Sequence, residues 1–224
     1  MKRAEFVLAC AIGLALSGCR TARPVGVEAP LQPLGAMSRQ AVIPELHKQM
    51  SQLHAIRSLM RIRASSGGRS LSFRARMLVE PRTRRMELVA YTPFGTAAMT
   101  IIADGDRVVF LDHIRDTAWE GSAVELAESI GFFDPQLGLA AWGMDVAGFP
   151  AQGEFQAAEG GLASAMIGDM TLVFDPPAFP PSHVTVTRGG AKAEITHLEL
   201  ASTDADVPRP AIPKGYRCCV APRM

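Results

Sequence analysis

Residues 69–112 read RSLSFRARMLVEPRTRRMELVAYTPFGTAAMTIIADGDRVVFLD, and this stretch constrains the fold more than any other. Leu71, Phe73, Ala75, Met77 and Val79 fall on one face, and Ser72, Arg74, Arg76 and Glu80 on the other. That is a period of two, the pattern of a strand with one apolar and one wet face. Leu78 is an apolar intruder on the wet side. In residues 85–91, Met86, Leu88 and Ala90 share a face. Pro93 and Gly95 then punctuate the chain, and residues 96–103 are more uniformly apolar. Asp104-Gly105-Asp106 signals a tight turn before a returning strand at 108–111. Strands joined by short connections pair with their neighbours, so this is an antiparallel meander. Its apolar face needs a cover, which the rest of the chain must supply.

The remaining strand signals extend the sheet. A short first strand is expected at 59–64, followed by the turn Ser66-Gly67-Gly68. Others are expected at 117–120, 152–158, 162–167, 170–174, 183–188 and 191–200. Turns fall at Gly168-Asp169, at the proline-rich residues 176–181, and at Gly189-Gly190. A sheet of about ten strands curls rather than staying flat. Three helices are expected to cap it. Ile43, Leu46, Met50, Leu53 and Ile56 recur at helical steps within residues 38–58, with Ser38 as N-cap or Pro44 in the first turn. Ser122 and Glu125 form a capping-box pattern ahead of a helix to Ile130. Asp134-Pro135 opens another short helix, to 144. The fold class is α+β, mainly β: one curved antiparallel sheet capped by an N-terminal helix and two short central ones.

The N-terminus carries a targeting signal. Lys2 and Arg3 precede an apolar core at 6–16, too short to cross a bilayer. Leu16-Ser17-Gly18-Cys19 follows, and it resembles the lipobox of bacterial lipoproteins: an aliphatic residue, two small ones, then cysteine. The resemblance implies a signal peptide at 1–18 and acylation of Cys19, whose thiolate is the nucleophile. Several acyl chains (palmitate among them) make a lasting anchor. Arg20 after Cys19, rather than Asp, implies sorting to the outer membrane. Residues 19–37, with Pro24, Pro30 and Pro33, read as the lipidated cysteine and a flexible tether. The globular domain is expected at 38–217, with a tail at 218–224. Cys218 and Cys219 are adjacent and have no metal or redox spacing.

Chemistry-bearing constellations are sparse. The chain has 224 residues and a net charge of +1, which argues against a nucleic-acid binder. There is no GxSxG, HExxH or phosphate-binding glycine loop, so no enzyme activity and no cofactor is expected. His47 and His54 have no third ligand at a matching spacing, so no metal is expected. Asp104, Asp106, Asp112, His113 and Asp116 read as polar turns. The unusual feature is charge: nine arginines lie between residues 57 and 85 against one acid, Glu80. They read either as a contact for anionic head groups or an acidic partner, through Arg74, Arg76, Arg84 and Arg85, or as a solvated sheet face with edge-protecting charges.

The order of lipobox, tether, amphipathic helix, meander, two apolar helices and further strands resembles the LolA/LolB lipoprotein-localisation superfamily, in its LolB-like outer-membrane branch. The residues carrying the resemblance are Thr92-Pro93-Phe94-Gly95-Thr96, the hairpin Ala103-Asp104-Gly105, and residues 139–150 with Trp142 and Phe149-Pro150. That branch also carries a protruding loop with an exposed leucine, whereas the Ser66-Gly67-Gly68 turn of this chain is short and lacks one. The resemblance implies a half-open β-barrel around an apolar cavity for acyl chains of lipids or lipoproteins. It further implies transfer or insertion at the envelope, and a periplasmic LolA-like carrier as partner. Phe73, Met77, Met86, Leu88, Met99, Ile101 and Val109 are the expected lining, and methionine suits adaptable apolar surfaces. The alternative is a non-enzymatic structural or assembly subunit of an envelope complex, with a packed barrel.

Overall fold

The meander is realised in the computed structural model, which describes residues 28–83, 85–122, 125–126 and 153–218. In chain order the elements are β1 (Glu28–Pro30), α1 (Arg39–Gln52), β2 (Ala55–Ser66), β3 (Arg69–Glu80), β4 (Arg85–Tyr91), β5 (Ala97–Asp104), β6 (Arg107–Asp112), β7 (Thr117–Ser122), β8 (Gly153–Ala158), β9 (Gly161–Ile167), β10 (Met170–Phe174), β11 (His183–Arg188) and β12 (Ala191–Thr203). All strands belong to one antiparallel sheet, ordered β7-β6-β5-β4-β3-β2-β12-β11-β10-β9-β8, with β1 added to the end of β12. The edges β7 and β8 do not pair with each other. The sheet therefore curls without closing, as a half-open barrel.

The concave face holds the core. Its side chains come from alternate positions of every long strand, such as Ile56 and Ile62 of β2, Met77 and Val79 of β3, and Val184 and Val186 of β11. Helix α1 adds Val42, Leu46 and Met50 and lies nearest β8 and β9. Its C-terminal end is held by Arg82, whose guanidinium donates to the Ser51 carbonyl.

Three sequence expectations are corrected here. The helix stops at Gln52 rather than running to 58. Ile56 fits the helical stripe, but it also fits the alternation Ile56, Ser58, Met60, Ile62, Ala64. Pairing on both sides, with β3 and β12, decides for strand. The tether is shorter than 19–37, because Glu28–Pro30 pairs with β12 and Leu31 and Leu34 are buried in the core. The last strand runs on to Thr203 rather than stopping at 200. Residues 204–217 cross the convex face as a strap. Val207 packs on Ala55 and Leu78, and Ile212 and Tyr216 pack on Val109, Leu111 and Ala118. The strap ends beside β7, where Ala118 N–H donates to the Arg217 carbonyl at 2.9 Å and Arg217 N–H to that of Asp116 at 2.9 Å.

The capping box forms as the sequence predicts. Ser122 N–H donates to Glu125 Oε2 at 2.8 Å, and Glu125 N–H donates back to Ser122 Oγ at 3.2 Å. Chiefly that backbone bond from Ser122 holds the Glu125 carboxyl below its usual range. Leu126, next in line, is fully buried in the core. The rest of that helix, the helix expected at 134–144 and residues 1–27 lie outside the described residues.

Gly161 opens β9 against the backbone of the 176–181 loop. A Cβ there would sit 2.5 Å from the backbone of Ala178. Backbone cannot yield as a side chain can, so Gly161→Ala should cost about 1–3 kcal/mol of stability in urea titration. Gly190→Ala, at an open turn, is the matching control and should change little.

Candidate functional site

The concave apolar face is the candidate site, and register organises it into rows. One row runs Ser58, Met77, Leu88, Ile101, Phe110, Trp119, each residue directly opposite the next. The row beside it runs Met60, Ala75, Ala90, Met99. Two small side chains, Ala75 and Ala90, thus lie between large ones and are buried, in the apolar trough that is the concave side of the curled sheet. Met77, Met86, Leu88 and Ile101 are fully buried there, while Phe73 and Met99 are only partly covered. Those two sit toward the end of the sheet where the β2–β3, β4–β5 and β6–β7 turns lie.

Six of the seven lining residues expected from sequence share this face. Val109 does not. It follows Val108 on β6 and so points to the convex side, where it packs with Leu111 and Ala118 under Ile212 and Tyr216. Both faces of β6 are apolar because both are covered, and an apolar run has no alternation from which to choose a face.

A polar pair, Ser58 and His197, interrupts this apolar face. Ser58, fully buried, lies with its Oγ 3.1 Å from His197 Nδ1 and donates to the Glu199 carbonyl at 3.3 Å. His197 sits at a β-bulge in β12. Burial, and secondarily the charge of His183, lowers its pKa to about 4. Neither residue was singled out from sequence, and a serine within an apolar alternation is the only signal of it.

The arginines divide by what they touch. Arg76 donates to Glu87 at 2.8 Å, and Arg85 pairs with Glu80 at 2.6 Å. Each of these two is engaged by a carboxylate of the adjacent strand, Glu87 of β4 for Arg76 and Glu80 of β3 for Arg85. Arg84 lies outside the described residues. Arg74 is exposed and has no carboxylate partner among the described residues.

Two polar clusters hold the strap. Glu80 accepts from Val207 N–H at 2.8 Å, from Thr83 Oγ1 at 2.7 Å and from Arg85. His54 and Asp206 meet beside it at 3.1 Å, so His54, Glu80 and Asp206 could offer a metal three ligand atoms within 4.8 Å of one another. Both Glu80 oxygens already have donors, however, and the trio acts as a clamp. At the other end, His113 bonds to Thr100 Oγ1 at 2.8 Å and to the Tyr216 hydroxyl. Burial, then the charges of Asp116 and Asp112, raises the Tyr216 pKa. Asp112 Oδ1 accepts from the N–H groups of Ile114 and Arg115, so these polar residues build a turn.

Two large apolar side chains stand out of that end of the sheet. Phe94, at the β4–β5 turn, is 93% exposed, and Ile114, at the β6–β7 turn, is 72% exposed. His113 N–H donates to the Ala98 carbonyl at 2.9 Å, tying the two turns together. The exposed apolar tip is thus on Thr92-Pro93-Phe94-Gly95-Thr96, not at Ser66-Gly67-Gly68.

A half-open single-sheet barrel with an apolar concave face is the class of structure these observations define. No family model and no curated protein matches the chain. Among solved structures it is similar to a putative outer membrane lipoprotein-sorting protein domain from Vibrio parahaemolyticus, at 9% identity over 75% of this chain and 95% of that one, TM-score 0.49. It is also similar to a LolA superfamily protein from Nitrosomonas europaea, at 9% identity over 76% and 96%, TM-score 0.44. A third is the Mycobacterium tuberculosis lipoprotein LppX, at 14% identity over 76% and 100%, TM-score 0.37. At such identities the likeness concerns the path of the chain alone.

Proposed function

We propose that this chain is a non-enzymatic lipoprotein of the outer membrane, anchored through Cys19, that takes acyl chains of lipids or lipoproteins onto its concave face for transfer at the envelope. A LolA-like periplasmic carrier is the partner this reading implies. The observation that carries it is the apolar trough of the unclosed sheet, with Phe73 and Met99 partly open at the end where Phe94 and Ile114 project. Each methylene moved from water into such a trough gains about 0.8 kcal/mol, so a long chain is held without a tight fit. Phe94 supplies an apolar tip where a membrane or a second apolar surface would be met.

Phe73→Asn and Met99→Gln test this reading. Both sites are partly open, so the variants should keep the wild-type circular dichroism. Uptake of a fluorescent fatty acid should fall about tenfold, the effect of losing one good apolar contact. Uptake equal to wild type in both folded variants would sink the reading. A second reading, a packed scaffold subunit, is favoured by the near-complete burial of Met77, Met86, Leu88 and Ile101. It expects a clean apo mass in native mass spectrometry and no uptake by the wild type either.

A further inference from the structure

We infer that the convex face of β2 and β3, near their shared hairpin, is an anion site that takes a phosphate-bearing group. The observation is a pair of like charges in direct opposition. Arg61 of β2 stands opposite Arg74 of β3 in the antiparallel register. Residues so placed hold their Cβ atoms about 5 Å apart on one face, and like charges there destabilise the sheet. Two other arginines of these strands have acids. Arg57 of β2 has Glu28 at 2.6 Å, and Arg76 of β3 has Glu87 at 2.8 Å. Arg61 and Arg74 are both exposed, and neither has a carboxylate partner among the described residues. Arg57 and Arg76 thus have counter-charges on these strands, while Arg61 and Arg74, which face each other, have none among the described residues.

The surroundings fit an oxyanion. Arg63 lies one step along the same face, opposite Ser72 on one side and Glu194 on the other. Glu194 is already bonded to Lys192 at 2.6 Å. Beside the pair, a cleft of about 420 Å³ is lined by Arg63, Ser65, Ser70, Ser72 and Lys192, together with Ala64, Leu71 and Glu194. Planar guanidinium forks bind phosphate through paired N–H donors, and serine hydroxyls complete such a shell. A phosphate between Arg61 and Arg74 converts their repulsion into two attractions. The site lies on the opposite face from the apolar trough, so it stands or falls independently of acyl-chain binding. Its ligand could be supplied as a lipid head group or as a soluble phosphate ester, and the chemistry of the site is common to both.

The test uses the full chain in micelles of a neutral maltoside detergent. Reaction of Arg61, Arg63 and Arg74 with phenylglyoxal is followed by peptide mass spectrometry, with and without glycerol phosphate, and with and without phosphatidylglycerol in the micelle. Protection of these arginines about fivefold or more, relative to exposed Arg69, is the expected result, and it should weaken as salt is raised. Protection by glycerol phosphate assigns a soluble ester; protection by phosphatidylglycerol alone assigns a head group. Protection by neither overturns the proposal.

Arg61→Glu separates binding from folding. It places a carboxylate opposite Arg74, so the melting temperature should rise while protection of Arg74 by the phosphate ligand is lost. A surface arginine without a ligand predicts the rise but no protection to lose. Arg74→Gln is the second variant, and it should remove the protection of Arg61 at wild-type secondary structure. Protection that survives in both variants overturns the proposal.

Discussion

Glu80→Ala should cost this protein about 3–5 kcal/mol of stability, the largest effect of any single substitution away from the apolar core. Glu80 is only 3% exposed and lies at the end of β3. Its carboxylate takes Arg85 at 2.6 Å, Thr83 Oγ1 at 2.7 Å and the Val207 N–H at 2.8 Å. Truncation leaves the largely covered Arg85 guanidinium without its counter-charge and the Val207 N–H without an acceptor. An uncompensated buried charge is the costly part of a broken ion pair. The loss should be read by urea titration. Hydrogen exchange should show the strap, residues 204–217, opening before the sheet, because its first anchor has gone. The paired change Glu80→Gln with Arg85→Met should cost less than Glu80→Ala alone, since no charge is stranded. Asp206→Asn, in the exposed pair with His54, should cost less than about 1 kcal/mol. A Glu80→Ala protein within 1 kcal/mol of wild type would mean that the strap is held by its apolar contacts and not by this clamp.

The strap also shows where the sequence was legible and where it was not. The strands of the meander announce themselves because Phe73, Ala75, Met77 and Val79 alternate with polar residues, and alternation survives any tertiary context that buries one face. Ser122 and Glu125 are equally local, and their capping box forms as read. The face of Val109 was not legible, because its neighbours Val108, Phe110 and Leu111 are apolar too. The information lay elsewhere, in Leu78, Val89 and Ile102. These are apolar residues on the convex side, and they require a second cover. Residues 204–217 supply it, but they are proline-rich and carry no helix or strand period that would show which face they cover. The pairing of the arginines was not legible for a related reason. Whether Arg76 and Arg85 are free depends on Glu87 and Glu80 across the register, which composition along one strand cannot show. Ile56 is the instructive boundary. It satisfies the helical and the strand period at once, and only two partner strands settle it.

Lowering the pH from 6.5 to 4 should remove about 3 kcal/mol of stability through His197 alone. Its pKa falls from 6.5 to about 4, with burial the main cause and the charge of His183 the lesser one. At about 1.4 kcal/mol for each pH unit, the difference sets the magnitude. The folded chain keeps the imidazole neutral where the unfolded chain protonates it. The unfolded state therefore binds the extra proton between these two values, and stability falls with pH across that window. Above pH 6.5 the contribution is complete, and below pH 4 it is lost. Ser58 is the structural counterpart: its hydroxyl meets His197 Nδ1 at 3.1 Å inside an otherwise apolar row. Urea titrations at pH 7.5, 6, 5 and 4 should show the decline, and nuclear magnetic resonance of the imidazole should place its titration well below the ordinary histidine range. His197→Phe should flatten the curve between pH 6 and 4.5, even if it shifts the whole curve by repacking the bulge. The same slope in His197→Phe as in wild type would move the acid sensitivity to the carboxylates and remove His197 from the account. Because the residue lies on the concave face, protonation would also put a charge into the trough proposed for acyl chains. Fatty-acid uptake should then weaken over the same pH range, and should do so less in His197→Phe.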